Sequence, residues 1–388
     1  MLARPLGRGS RLAALPPPRQ LVVLTLATVA VGALVQLGSA LGAHAVSDIP
    51  KLWFERDIRP GDLPYLDRPL EYPVLVGLAM WVTSWAPSRA AFLVANAVLL
   101  VPLAVVVTLL LERRVGAAAA RWAVGVPLAL YALHQWDLLA VAPAVAGLLA
   151  AERGRAGSAG ALLAVGTAAK LYPGAFVPLL AVWWWRDGRH REVARLTAAF
   201  AGVLLLVNVP VALAAPDGWW HMVSFQGARA PSWGSLWFHL FRLPGIEDLV
   251  EGHEAGIANV LSAAALAAGL GWLAVLAWRR GLGPFALATG ATVVFLLANK
   301  IYSPQYDLWL LPSFALLPID RRLLVAFSAA SLAMYLLVFG HAFGLVARDA
   351  LPPFIGVVAV ARAGVLAGVL LAATRPTADV RPAAPAGR

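Results

Sequence analysis

Lysine occurs only three times in 388 residues, and two of the three stand at the ends of long apolar runs. Lys170 follows AGSAGALLAVGTAA and opens Lys170-Leu171-Tyr172-Pro173; Lys300 follows FALATGATVVFLLAN and opens Lys300-Ile301-Tyr302-Ser303-Pro304-Gln305-Tyr306. An ammonium beside hydrocarbon is expensive, about 2.5–3.5 kcal/mol at a helix centre. One reading is that each lysine reaches the headgroups from a helix end. Arginine would serve there equally well, and arginine supplies the rest of the positive charge. The other reading is a fixed anionic ligand, a phosphate or pyrophosphate with its lipid tail in the bilayer, which Lys meets as a point charge. Proline after each motif frees backbone amides, which are tolerated where they face a polar cavity.

A group held by phosphate also needs a base if it is to be transferred. Asp48, in Ser47-Asp48-Ile49-Pro50, follows the first apolar run closely enough to be pinned near the membrane surface, where a carboxylate could deprotonate a hydroxyl acceptor. An ordinary surface acid is the competing reading. Asp137, in Gln135-Trp136-Asp137, is the second candidate carboxylate, and Gln135 is expected to line the same cavity. Glu71-Tyr72-Pro73 either contributes to that cavity or starts a helix, where Glu is stabilising. Arg229 is a further candidate for phosphate or sugar hydroxyls, with Ser235, Ser303, Gln305 and Tyr306 as cavity residues and Tyr172 beside the phosphate. Trp219, Trp220, Trp233 and Trp237 could stack on a pyranose ring or form an aromatic belt. Cysteine is absent, the seven histidines show no HxH or HExxH pairing, and no Walker loop occurs. No metal or other cofactor is therefore expected, and neither a metal hydrolase nor an ATP-driven pump is supported.

The elements that must position these residues are membrane helices. The chain is 61% hydrophobic and 13% charged, and apolar stretches recur from residue 21 to residue 373. This is an all-α polytopic membrane protein by composition, because helices satisfy their own backbone groups in lipid. The net charge of +11 does not call for nucleic acid, since most arginines sit in short connectors near 112–114, 152–155, 186–195, 279–280 and 320–322, where orientation signals belong. Placing these connectors inside puts the N-terminus inside and residues 44–71 outside. Segment 72–111 must then cross once, yet it holds two apolar pieces. We expect 72–86, short and carrying Trp81 and Trp85, to lie along the outer surface; a true span there would invert every later loop. Twelve spans result, near 21–43, 90–111, 118–135, 137–151, 157–170, 174–186, 196–214, 256–278, 283–299, 305–318, 323–340 and 354–373. Residues 1–20 form a basic cytoplasmic tail, 21–373 one membrane domain with outer loops 44–89 and 216–255, and 374–388 a second tail. The extreme termini, 1–19 and 375–388, are expected to be disordered.

The order and spacing of these pieces resemble glycosyltransferase family 87, the polyprenol-phosphate-mannose-dependent mannosyltransferases of the GT-C fold (DUF2029-type). The matching residues are Asp48, Pro64-Tyr65, Glu71-Tyr72-Pro73-Val74-Leu75, His134-Gln135-Trp136-Asp137, Ala169-Lys170-Leu171-Tyr172-Pro173 and Asn299-Lys300 through Tyr306. The resemblance implies a sugar linked through one phosphate to a long polyprenol, chemistry on the extracytoplasmic face of the plasma membrane, and Asp48 as the base. Two departures from the pattern concern the acceptor: Gln305-Tyr306 stands where some relatives have His, and His134 and Asp137 replace the usual Gly and Asn. The expected activity is an inverting hexosyltransferase that extends a glycolipid or polysaccharide acceptor. Lys170, Lys300 and Arg229 would hold the donor phosphate. The rival is a transporter or flippase of lipid-linked sugars that uses the same cations for recognition only.

Overall fold

The computed structural model describes residues 18–41, 47–340 and 351–375. Among them the chain is helical, with no strand beyond an isolated bridge between Pro64 and Arg68. The basic tails expected to be disordered lie outside the described residues, with two corrections at their edges. Pro18–Gln20, assigned to the tail, open the first helix, where Pro is pre-organised for the first turn. Thr374 still belongs to the last helix.

We label the main helices α1 (Pro18–Leu41), α2 (Asp48–Glu55), α3 (Val74–Thr83), α4 (Arg89–Val115), α5 (Leu138–Glu152), α6 (Ala156–Thr167) and α7 (Phe176–Arg186). They continue as α8 (His190–Ala214), α9 (Pro216–Ala228), α10 (Glu254–Arg280), α11 (Pro284–Ala298), α12 (Asp307–Leu316), α13 (Arg321–Phe339) and α14 (Leu351–Thr374). Among the described residues six stretches are long and apolar enough to cross a membrane: Pro18–Leu41, Arg89–Ala123, His190–Ala214, Glu254–Arg280, Arg321–Phe339 and Phe354–Thr374. Length alone does not carry the expected count of about twelve. Helices α5, α6, α7, α11 and α12 have 10 to 15 residues, a rise of only about 15–23 Å against a hydrocarbon core of about 30 Å. The span expected at 118–135 is broken into Gly116–Ala119, Ala120–Ala123 and Val126–Tyr131. The short helices α5 and α11 are buried along most of their length, whereas α8 and α10 show most of theirs. Short helices suffice in the interior because protein, rather than lipid, satisfies their ends.

Contacts define two ends of the bundle. At one, Arg114 pairs with Glu152 at 2.5 Å, Arg121 donates to the carbonyls of Phe314 and Ile319, and Arg280 donates to the carbonyl of Thr374. Connectors 112–114 and 152–155 thus meet directly, and 279–280 meets the end of α14. At the other end, Ser47 Oγ donates to the carbonyls of Leu133 and His134, the Leu75 N–H to that of Ala168, and the Ser232 N–H to that of Lys300. Thr25 near the start of α1 meets Thr108 near the close of α4 at 2.7 Å, so the two helices run antiparallel. The segment between them therefore returns to the end it left, and α3, ten residues long, lies on that return path.

The connecting loops at this second end are locked by close backbone approaches. Tyr65 adopts a left-handed φ of 72°, and a Cβ on Gly218 at the start of α9 would sit 1.9 Å from its carbonyl oxygen. A Cβ on Gly234 would sit 2.1 Å from the carbonyl oxygen of Tyr302. Only glycine allows these contacts.

Candidate active site

One carboxamide organises the site. The turn between Val126–Tyr131 and α5 carries His134, Gln135 and Asp137, and the His134 carbonyl accepts the Asp48 N–H at 3.1 Å. This seats the N-terminus of α2, where the Asp48 carboxylate also complements the helix dipole. Gln135 Nε2 donates to Asp48 Oδ2 and, at 3.2 Å, to the Tyr72 hydroxyl. Gln135 Oε1 accepts from Lys170 Nζ at 2.6 Å. A carboxylate and an ammonium are thereby held at opposite ends of one amide.

Lys170 is only 7% exposed. Its Nζ lies 3.8 Å from Asp137 Oδ1, and 5.4 and 5.9 Å from the ring centroids of Tyr72 and Tyr306, both within cation–π range. Asp137 is fully buried; Oδ1 accepts from Trp309 Nε1 at 2.6 Å, and Oδ2 has no hydrogen-bond partner among the described residues. Trp309 lies between two tyrosines, stacked on Tyr306 at 3.9 Å and on Tyr172 at 4.4 Å. Tyr172, expected beside the phosphate, is thus packing beneath the site. Burial, and after it the charge of Asp48, pushes the Tyr72 hydroxyl well above the usual phenol range. It keeps its proton and can donate onward while accepting from Gln135.

The other expected residues have partners of their own. Lys300 Nζ donates to the carbonyls of Gly227 and Arg229, at 2.9 and 2.5 Å. It closes the C-terminus of α9, where a cation suits the helix dipole. Burial first, then the Arg229 charge, lowers the pKa of this ammonium. Arg229 is half-buried and donates to Gln226 Oε1 at 3.2 Å, and its charge reaches Tyr72 and Tyr306. Glu71 is taken by Arg56 in a two-toothed pair, 2.6 and 3.1 Å. Ser235 caps the short helix Leu236–Leu240 by accepting the Phe238 N–H. The Ser303 carbonyl accepts the Tyr306 N–H, and Gln305 is buried with Oε1 unpartnered. The structure therefore brings together Asp48, Tyr72, Gln135, Asp137, Lys170 and Tyr306, with Arg229 at the rim.

Three contributors escaped the sequence reading. Trp309 looks like one more membrane tryptophan until it is seen holding Asp137. Gln226 donates to the Glu71 carbonyl and joins α9 to the segment before α3, with nothing in its local sequence to single it out. Arg362 is the only charge in the apolar run of α14, a recognisable signal of an intramembrane functional or structural ion. It is 1% exposed, donates to the Gly234 carbonyl at 2.9 Å, covers the Tyr302 ring at 3.6 Å and lies 3.7 Å from Asp307.

The family model described as glycosyltransferase family 87 matches residues 70–299. That stretch contains Tyr72, Gln135, Asp137, Lys170 and Arg229, and stops one residue short of Lys300. No curated protein matches the chain. With more than half its length matched, the chain belongs to glycosyltransferase family 87.

Proposed function

Starting from a membrane glycosyltransferase of this family, we propose that the chain moves a sugar, mannose as the leading candidate, from a polyprenyl phosphate to a hydroxyl of a glycolipid or polysaccharide. The observation that carries this reading is the Gln135 bridge, which sets the Asp48 carboxylate beside the Lys170 ammonium. In the proposed step Asp48 takes the proton of the acceptor hydroxyl. The acceptor oxygen forms a bond to the anomeric carbon while the bond from that carbon to the phosphate oxygen breaks. The electron pair leaves on polyprenyl phosphate, whose growing charge Lys170 stabilises at close range. Attack and departure on opposite faces of the sugar invert its configuration. Arg229 and the remaining N–H of Lys300 add positive charge at the rim. The arginine-rich end of the bundle faces the cytoplasm under the positive-inside rule, so the site faces outward across the plasma membrane. About twelve passes follow if the short interior helices are counted as crossings.

Purified protein given polyprenyl-phosphate mannose and a glycolipid acceptor should release polyprenyl phosphate and elongate the acceptor. Asp48→Asn should stop this turnover while donor binding survives. Full turnover by Asp48→Asn removes Asp48 as the base. Transport of labelled donor across vesicles without any sugar transfer refutes the reading.

A further inference from the structure

Four aromatic rings stack as one column beneath the site. Tyr302 lies on Tyr306 at 6.3 Å and 16°, Tyr306 on Trp309 at 3.9 Å and 20°, and Trp309 on Tyr172 at 4.4 Å and 8°. Aromatic pairs of this kind hold one another beyond the area they bury. Tyr302 and Tyr306 come from the connector between α11 and α12, Trp309 from the first turn of α12, and Tyr172 from the turn before α7. The column touches the site at two points. Trp309, clamped between two tyrosines, aims Nε1 at Asp137 Oδ1, and Tyr306 presents its ring to Lys170 Nζ. Asp137 and Gln135 compete for the same ammonium, at 3.8 and 2.6 Å. An Asp137 that lost its Trp309 donor would draw Lys170 away from Gln135, because a buried carboxylate has to find a donor or an opposite charge.

A charge stands where the column begins. Arg362 Cζ lies 3.6 Å from the Tyr302 ring centroid, within cation–π range. Its Nη2 donates to the Gly234 carbonyl at 2.9 Å, whereas Nη1 approaches Asp307 Oδ2 only to 3.7 Å and, like Nε, has no hydrogen-bond partner among the described residues. A group placed solely to neutralise Asp307 would close to hydrogen-bond distance. The planar guanidinium is instead seated against the ring, a contact that arginine makes better than lysine. Tyr302 is fixed at its other groups as well: its hydroxyl donates to Asp307 Oδ1 at 2.5 Å and its N–H to Ser232 Oγ at 2.9 Å. We propose that Arg362 is a positioning residue for the transfer reaction. From α14 it sets the place of Tyr302, and the stacked rings carry that placement to Trp309 and so to Asp137 and Lys170. The proposal deepens the transferase reading, but the spectroscopic arm of its test does not depend on that reading.

The first variant is Arg362→Met with Asp307→Leu, which removes the guanidinium without stranding a buried carboxylate. The second is Tyr302→Leu, which breaks the column and keeps both charges, so that a misfolded first variant does not end the test. The full chain in detergent, with its tryptophans isotope-labelled for proton–nitrogen NMR, reports the Trp309 indole N–H, identified by its loss in Trp309→Phe. Bonded to a carboxylate, this proton should resonate downfield and exchange slowly in wild type, and it should move upfield and exchange faster in either variant. Initial-rate transfer from polyprenyl-phosphate mannose to a glycolipid should fall about tenfold in each, even where thermal unfolding shows wild-type stability. In a Trp309→Phe background the same changes should cost little more, because the link they act through is already cut. An unmoved indole signal in a folded variant, wild-type turnover in that variant, or the full loss repeated in Trp309→Phe overturns the proposal. An indole that moves in the variants of a protein that never transfers sugar removes the transferase reading and leaves the coupling. Wild-type transfer with an unmoved indole in the variants does the reverse.

Discussion

Replacing Gln135 with Leu keeps the volume of the side chain close to native and deletes both halves of its amide. Lys170, 7% exposed, then loses its 2.6 Å acceptor and retains the 3.8 Å approach to Asp137 and the ring faces of Tyr72 and Tyr306. Asp48 loses its side-chain donor at the same moment. A hydrogen bond to a charged group contributes about 1.5–3 kcal/mol. Losing one such bond, at 1.4 kcal/mol per decade, lowers kcat/KM by roughly 10- to 150-fold. Losing both, if the effects added, would square that factor; the two bonds share one group, so the sum is an upper bound. Gln135→Asn carries the same amide on a shorter stem and can serve only one partner, so it should fall between wild type and Gln135→Leu. The assay is initial-rate transfer from polyprenyl-phosphate mannose, with thermal unfolding of each variant in the same detergent to separate lost chemistry from lost fold. A folded Gln135→Leu protein with wild-type kcat/KM would refute the bridge as the organising element.

Three further outcomes follow from the same contacts. Lys170→Met should weaken donor binding far more than Lys300→Met. The latter should instead lower the unfolding temperature, because it takes the donor from the Arg229 carbonyl, at about 1–3 kcal/mol for an unpaired buried group, while the Gly227 carbonyl keeps Asn259 Nδ2 at 2.9 Å; the two variants compared by lipid binding and thermal unfolding decide it. Arg362→Met strands a buried carboxylate at Asp307 and should cost about 3–5 kcal/mol, whereas Arg362→Met with Asp307→Leu should recover most of that loss; strict additivity of the single variants would refute the pairing. The Arg59 hydrogen bond is the main reason the Asp57 carboxyl sits below its ordinary value. Its folded pKa is depressed, so its contribution is complete above the ordinary carboxylate range and is lost as pH falls through the lowered value. Hydrogen exchange in residues 56–70 should speed up over that acid window and not at neutral pH.

Much of the candidate site could be read from residue types alone. A lysine where the chain otherwise uses arginine pointed to Lys170, and a carboxylate close behind the first apolar run pointed to Asp48. The carbonyl partners of Lys300 were not legible, because an ammonium near lipid can be stabilised by backbone carbonyls at a helix end as well as by a ligand, and Gly227 and Arg229 at the end of α9 are 73 and 71 residues away in sequence. The capping role of Ser235 was not legible, because the helix it caps, Leu236–Leu240, is too short to show as a periodic pattern. The helix count was the least legible feature. Hydropathy locates apolar runs well, and the boundaries of α8, α10 and α13 fall within a few residues of the expected spans, apart from the polar first turns of α8. It is blind to proline and glycine breaks that protein neighbours make harmless, as in the piecewise passage from Gly116 to Tyr131.

The glycine contacts at Gly218 and Gly234 bear on how rigidly this end of the bundle is held. Neither crossing has room for a methyl group, so alanine at either position has to push one backbone away from another. Gly218→Ala would prise the loop at Tyr65 off the start of α9, and Gly234→Ala would lift the turn before Leu236–Leu240 away from Tyr302 and crowd the Arg362 guanidinium. Two hydrogen atoms thus act as the clasps that fasten distant stretches of chain together.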